Sequence, residues 1–231
     1  MMARALVLRH HPEDSPGLVG EALTQRGFEL DLEMMDEHSH SPSVQGYDVL
    51  VILGSKHAVY DEEIEAKWFG RELEVIGEAH RLAVPVLGIC FGAQALCRYH
   101  GGSVSVSDVP EIGWYEIEVV GDSPLSRGPW FEFHFDRCSL PPEAVVWART
   151  SSAVQAFSVG ADVGVQFHPE IDAEQLAQWF ASGDEDAREF GLDPVDLLAQ
   201  TERETPAARA RTAALIDIFL EHAAQHLPTP S

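Results

Sequence analysis

With 231 residues, 45% of them apolar and 23% charged, the chain has the length and composition of one fairly large soluble globular domain, or of one domain with a small appendage. The 15 basic and 38 acidic side chains leave a formal net charge of -23, which repels phosphate backbones and anionic membranes, so no nucleic acid and no membrane is expected as a partner. Three cysteines (Cys90, Cys97, Cys138) without metal-ligand spacing argue against a disulfide framework, and no apolar run reaches signal-peptide or membrane-spanning length; the expected compartment is the cytoplasm.

Ala3 to Leu8 is a short apolar run that predicts a buried strand. Pro16 to Gly27 has helical spacing (Leu18, Val19, Ala22, Leu23) and stops at a glycine. Phe28 to Met34 is a second strand, and the polar, proline-containing stretch Asp36 to Gly46 is a loop. Val49 to Gly54 is wholly apolar before its glycine, the pattern of a central parallel strand, and a long helix follows from about Asp61 to Arg81. Val84 to Cys90 is another apolar strand that passes directly into a helix from Ala93 to about His100, closed by Gly101-Gly102. This alternation predicts a doubly wound α/β sheet.

Beyond residue 110 the pattern changes. Trp114–Val120, Trp130–Phe135, Val145–Arg149, Gln155–Val159 and Val163–Phe167 are short strands separated by turns, expected as antiparallel additions to a mostly parallel sheet. Helical patterns return at Ala173–Ala181 and Pro206–His226, while Asp184–Arg203, charged and punctuated by Gly191 and Pro194, suggests two short helices. Without an internal repeat, low-complexity tract or linker, residues 1–231 are expected to form a single domain with a C-terminal helical segment from about 184 to 231.

Two segments carry chemistry. Gly88-Ile89-Cys90-Phe91-Gly92 joins an apolar strand to a helix in the manner of a nucleophile elbow, with sulfur in place of the more familiar serine oxygen. Flanking residues without a Cβ let strand and helix pass closely, and the thiol lies at a helix N-terminus, where partial positive charge favours thiolate. The backbone N–H of Phe91 can stabilise an oxyanion in the same space. An inert cysteine in a tight turn would satisfy this fragment equally well. A thiolate nucleophile, however, needs a base and a group that orients it. Val165-Gln166-Phe167-His168-Pro169-Glu170 ends a predicted strand, whose alternation would put His168 and Glu170 on one side, with Pro169 closing the ladder.

Gly88-Ile89-Cys90-Phe91-Gly92-Ala93-Gln94 together with Gln166-Phe167-His168-Pro169-Glu170 resembles the class I (triad) glutamine amidotransferase family, in its stand-alone and GMP-synthetase-like branch. The resemblance implies a flavodoxin-like α/β fold. It also implies Cys90, His168 and Glu170 as a triad that attacks the side-chain amide of glutamine, giving a γ-glutamyl thioester and ammonia. Substrate contacts are expected from Gln94, from His134 near the site opening, and from Gly88. Where the family carries Gly-Gly-Pro after the third strand, this chain has Leu53-Gly54-Ser55-Lys56, so the second oxyanion donor beside Phe91 is Gly54 or Ser55. The segments Glu111–Tyr115 and Trp130–Asp136 resemble substrate-lining stretches, although Trp130, Phe131 and Phe133 equally suit core packing, and His134 with Asp136 a structural hydrogen-bond pair.

The histidine pairs His10-His11, His38-x-His40, His134-x-Asp136 and His168-x-Glu170 lack the spacing of a zinc site, and Cys97 and Cys138 are expected to be bystanders; no metal and no cofactor is expected. No phosphate-binding glycine-lysine loop is present, and the length leaves no room for a synthetase domain. The expectation is a glutaminase unit that supplies ammonia to an acceptor on a partner synthetase. The alternatives are a stand-alone γ-glutamyl hydrolase or peptidase with the same triad, and a catalytically silent binding module.

Overall fold

The computed structural model describes residues 2–36, 40–181 and 192–227. An eight-stranded sheet has the order β2-β1-β3-β4-β10-β9-β8-β6. Its strands are β1 (Ala3–Arg9), β2 (Phe28–Met34), β3 (Val49–Ile52), β4 (Val86–Ile89), β6 (Glu118–Val119), β8 (Val145–Arg149), β9 (Val154–Val159) and β10 (Asp162–Val165). A separate antiparallel ribbon pairs β5 (Ser103–Tyr115) with β7 (Trp130–Ser139). The half from β2 to β10 is parallel, and β9, β8 and β6 continue it antiparallel. This is the doubly wound sheet with antiparallel additions that the sequence predicts.

β3 and β4 are buried throughout, because helices cover both faces of a parallel sheet. Successive side chains point to opposite faces, which sorts them into two cores. Ala5, Val7, Val49, Val51, Leu87 and Ile89 pack against α1 (Gly17–Gln25) and the C-terminal helix. Leu6, Leu8, Leu50, Ile52 and Val86 pack on the other face. There α2 (Glu62–Ile64) runs through a π-helical turn (Glu65–Phe69) into α3 (Gly70–Arg81), beside α4 (Phe91–Tyr99). A third cluster, Ile112, Phe131, Ile171, Leu176 and Leu197, joins the ribbon to α5 (Ala173–Ala181) and α6 (Pro194–His226). The strand order reverses between β1 and β3, so the loops after β1, β3 and β4 meet at the carboxyl edge of the sheet, where open α/β sheets form their clefts.

Four local expectations need correction. The strand expected over Trp114–Val120 is divided: Tyr115 ends β5, and Glu118–Val119 form β6. The helix expected from Ala93 begins at Phe91, directly after the cysteine. The last strand stops at Val165, so His168 stands in a turn and not on a strand. The helix expected from Pro206 starts at Pro194, because proline at the first helical position gives up no needed N–H and Asp193 caps the turn by accepting from the Val195 N–H. Pro206 lies inside this helix. Of the two short helices expected over Asp184–Arg203, residues 184–191 and His38 of the earlier loop lie outside the described residues.

Candidate active site

Cys90 adopts φ 52° and ψ −105°, a backbone conformation that costs a non-glycine residue on the order of 1–3 kcal/mol. Its neighbours hold it there. The Cys90 N–H donates to the Val165 carbonyl at 2.8 Å, and the Gln94 N–H donates to the Cys90 carbonyl at 3.0 Å. A Cβ on Gly88 would lie 2.4 Å from the Gly92 oxygen, and one on Gly92 would lie 2.3 Å from the Ile52 oxygen. Gly88 therefore makes room for the elbow from inside β4, where no side chain fits.

The His-Pro-Glu turn is pinned from three directions. The His168 N–H donates to the Phe131 carbonyl at 2.7 Å, and the Leu18 N–H of α1 to the Glu170 carbonyl at 2.9 Å. The Thr212 hydroxyl of α6 donates to the Pro169 carbonyl at 2.7 Å. This turn, and not strand alternation, sets His168 Nδ1 2.6 Å from Glu170 Oε1, with both side chains buried. Burial works against charge on the imidazole, but the Glu170 carboxylate and the Cys90 sulfur outweigh it, holding His168 well above its ordinary value. The structure thus brings Cys90, His168 and Glu170 together, all three buried. Trp179, which the sequence reading does not single out, sets its ring edge-on to His168 at 5.2 Å.

The other expected contacts are less direct. Gln94 is buried and donates to Gln166 Oε1 at 3.2 Å, while Gln166 Nε2 donates to Cys90 Sγ at 3.5 Å. Gln94 therefore faces the β10 side and reaches the thiol through Gln166. Gly54 abuts the site: a Cβ there would lie 2.9 Å from His168 Cε1 and 3.7 Å from the Cys90 Cβ. Ser55 follows it, its hydroxyl accepting from the His57 N–H at 3.2 Å. Phe91 opens α4, where the first N–H groups have no partner within the helix. Trp130 and Phe131 are core residues, Trp130 stacking on Phe167 at 4.3 Å.

His134 does not stand at an opening; it is buried between two carboxylates, with Nε2 3.2 Å from Glu111 Oε2 and 3.4 Å from Glu132 Oε2. Its Nδ1 lies 3.0 Å from the backbone carbonyl of Asp136, whose carboxylate accepts instead from the Tyr60 hydroxyl at 2.7 Å. Glu111 also accepts from Gln155 and Thr150, whereas among the described residues Glu132 has no partner of hydrogen-bond geometry beside the 3.4 Å approach of His134. Burial pushes the Glu132 carboxyl up to about 7, against the opposing pull of His134. For His134 burial is overcome by the two carboxylates, which raise it to about 10. Because folded Glu132 binds its proton more tightly than unfolded Glu132, stability falls as pH rises from about 4.5 through about 7. The His134 contribution is fully present below about 6.5 and is lost only as pH approaches 10. Glu132→Gln is therefore expected to lose less stability than the wild type between about pH 5 and about pH 7. Thermal unfolding across that window checks this, and parallel curves would contradict it.

Of the histidines weighed as metal ligands from the sequence, His10 and His134 have both ring nitrogens engaged by carboxylates and carbonyls, and His168 has its Nδ1 engaged by Glu170. His80, His100 and Asp162 do converge, at the amino-terminal edge of the sheet, away from Cys90. Both Nε2 atoms lie within 2.9 Å of Asp162 Oδ2, while Oδ1 accepts from the Val86 N–H, so the three side chains satisfy one another. Cys97 and Cys138 are free and buried, each shifting the other by hydrogen bonding.

Among the described residues no helix is long and apolar enough to cross a membrane. Residues 17–181 match the sequence pattern of the family Glutamine amidotransferase class-I. The chain is 41% identical over 119 residues to a GMP synthase (glutamine-hydrolyzing) of Aeropyrum pernix, an alignment covering 48% of this chain and 23% of that protein. It is 32% identical over 145 residues to the same-named protein of Bordetella parapertussis, covering 55% and 26%. The chain thus matches about a quarter of the length of these curated relatives. Among solved structures, a glutamine amidotransferase from Thermotoga maritima superposes with TM-score 0.86 at 27% identity, covering 96% of this chain and 99% of that one. A glutamine amidotransferase from Methylobacillus flagellatus shares the fold with TM-score 0.82 at 21% identity, covering 100% and 98%. With the pattern running from α1 through the elbow and the His-Pro-Glu turn to α5, the chain belongs to the class-I glutamine amidotransferase family.

Proposed function

We propose that the protein hydrolyses the side-chain amide of glutamine and supplies the ammonia to an acceptor, with Cys90 as nucleophile, His168 as acid and base, and Glu170 as the group that orients His168. The observation that carries this reading is buried His168 in contact with Glu170 on one side and with Cys90, on a strained strand-to-helix turn, on the other, in a chain of this family. The Cys90 thiolate adds to the amide carbon, and the developing oxyanion is met by the Phe91 N–H and by a donor of the Gly54-Ser55 loop. His168, carrying a proton, gives it to the departing nitrogen, so ammonia leaves and a γ-glutamyl thioester remains. Water then attacks the thioester, His168 takes its proton, and glutamate leaves as the C–S bond breaks, restoring the Cys90 thiolate beside protonated His168.

Relatives named as glutamine-hydrolyzing GMP synthases support glutamine as the substrate, and a synthetase partner as the destination of the nitrogen. The test is to supply glutamine and a panel of γ-glutamyl amides and to measure ammonia or amine release. Glutamine is expected to be the best substrate, with a rate that rises when the partner is added. Faster turnover of γ-glutamyl peptides would replace this reading with that of a γ-glutamyl hydrolase. No turnover of any of them, with Cys90 unreactive toward a glutamine-like electrophile, would leave a binding module.

A further inference from the structure

His10, the residue after β1, is buried and has both ring nitrogens engaged. Nδ1 lies 2.8 Å from the Gly54 carbonyl oxygen, and Nε2 lies 2.8 Å from Glu72 Oε2, a carboxylate of α3 that is itself fully buried. A carbonyl only accepts, so Nδ1 carries hydrogen and donates to Gly54, whichever of His10 and Glu72 holds the proton between them. Burial works against charge on His10, but Glu72 outweighs it and raises the imidazole above its ordinary value. The ring is held between Trp68, at 5.1 Å, and Phe91, at 4.9 Å. Trp68 is delivered by the π-helical turn, an irregularity that concentrates at functional sites. The backbone is fixed as well, since Asp14 accepts from the N–H groups of His10 and His11.

One side chain therefore touches both halves of the expected oxyanion hole: the Gly54-Ser55 loop by a hydrogen bond, and Phe91 by ring contact. In a trans peptide the C=O and N–H point in opposite directions. A Gly54 carbonyl held toward His10 turns the Ser55 N–H to the other face of the loop. A loop without the second glycine and the proline of Gly-Gly-Pro lacks their built-in shape, and the buried pair supplies an external one.

We propose that His10, held by Glu72, is a positioning residue for the oxyanion hole: it fixes the Gly54–Ser55 peptide so that the Ser55 N–H is the second donor beside Phe91. This rests on the functional reading above. The test uses His10→Phe combined with Glu72→Leu, which keeps a ring between Trp68 and Phe91 and leaves no buried charge unpaired, together with His10→Gln, whose amide can still donate to Gly54. For the double variant kcat for glutamine is expected to fall about 10- to 100-fold, with KM changed less than about twofold. Alkylation of Cys90 by iodoacetamide, which develops no oxyanion, is expected to keep its rate. His10→Gln is expected to recover most of kcat. An unchanged kcat would overturn the proposal, as would a fall in kcat matched by an equal fall in alkylation rate. If the wild type turns over neither glutamine nor another γ-glutamyl amide, the functional reading fails by itself. Crystal structures then decide the clamp: a Gly54 carbonyl turned away in the double variant supports it, and an unmoved one overturns it.

Discussion

Cys90→Ser is expected to lower ammonia release from glutamine by about 10⁴-fold or more while leaving the fold intact. The size of the loss follows from the division of labour proposed for the site. His168 is raised because it faces both the Glu170 carboxylate and the Cys90 sulfur; a serine hydroxyl in the same place is a far weaker nucleophile than a thiol and needs its proton removed during the attack. Little stability is at stake, because apart from His168 the sulfur has a 3.5 Å hydrogen bond from Gln166 and a 4.0 Å approach to the Phe133 carbonyl, contacts that a hydroxyl can keep in part. The strained turn is held by backbone hydrogen bonds that serine keeps. Steady-state ammonia release beside thermal unfolding checks both halves. Turnover within tenfold of the wild type, with the fold intact, would remove Cys90 as nucleophile.

Gly92→Ala is expected to have the largest effect on the fold itself. The added Cβ would stand 2.3 Å from the Ile52 carbonyl oxygen and 2.9 Å from two other atoms of Ile52, so the backbone of β3 or of the elbow must move. The cost is about 3 kcal/mol, the upper end for overpacked cores, because the nearest atoms met are backbone. In a chain of this size that lowers Tm by roughly 6–12 °C. Activity is expected to fall further than the fraction folded, since the same shift displaces Cys90 and Phe91. Gly70→Ala is the control: its Cβ meets only Glu65 O at 3.5 Å, within a helix, where alanine is favoured over glycine by up to about 1 kcal/mol. Equal thermal stability for the two variants would contradict the packing argument.

The parallel half of the sheet was legible because β1, β3 and β4 are short apolar runs whose neighbours bury both faces, and because their connecting helices keep helical spacing. The elbow and the His-Pro-Glu turn were legible because each strings its residues together within a few positions. β5 was not. Ser103-Val104-Ser105-Val106 alternates weakly, Val106 and Val109 are exposed, and a bulge interrupts the pairing between Val106 and Glu111. The length of α6 was hidden by Pro206, which reads as a helix start and here lies within one, on a helix anchored by the buried Leu215, Ile216 and Phe219.

At the site, the failures have one physical character. His134 and Glu132 alternate on a strand like any polar residues, and only burial reveals that they face one another. His10 and Glu72 are 62 positions apart, on different elements, and the neighbouring His11 points to a metal pair rather than to Glu72. Local motifs are readable from spacing, whereas pairs made by the packing of distant elements are not.

The most direct test of the central claim is to mix the protein with glutamine, quench in acid within the first turnovers, and weigh the peptide that contains Cys90. This peptide is expected to gain one γ-glutamyl group, Cys97 and Cys138 to gain none, and the adduct to disappear in Cys90→Ser. Rapid ammonia release without any adduct on Cys90, or release that survives in Cys90→Ser, would contradict it.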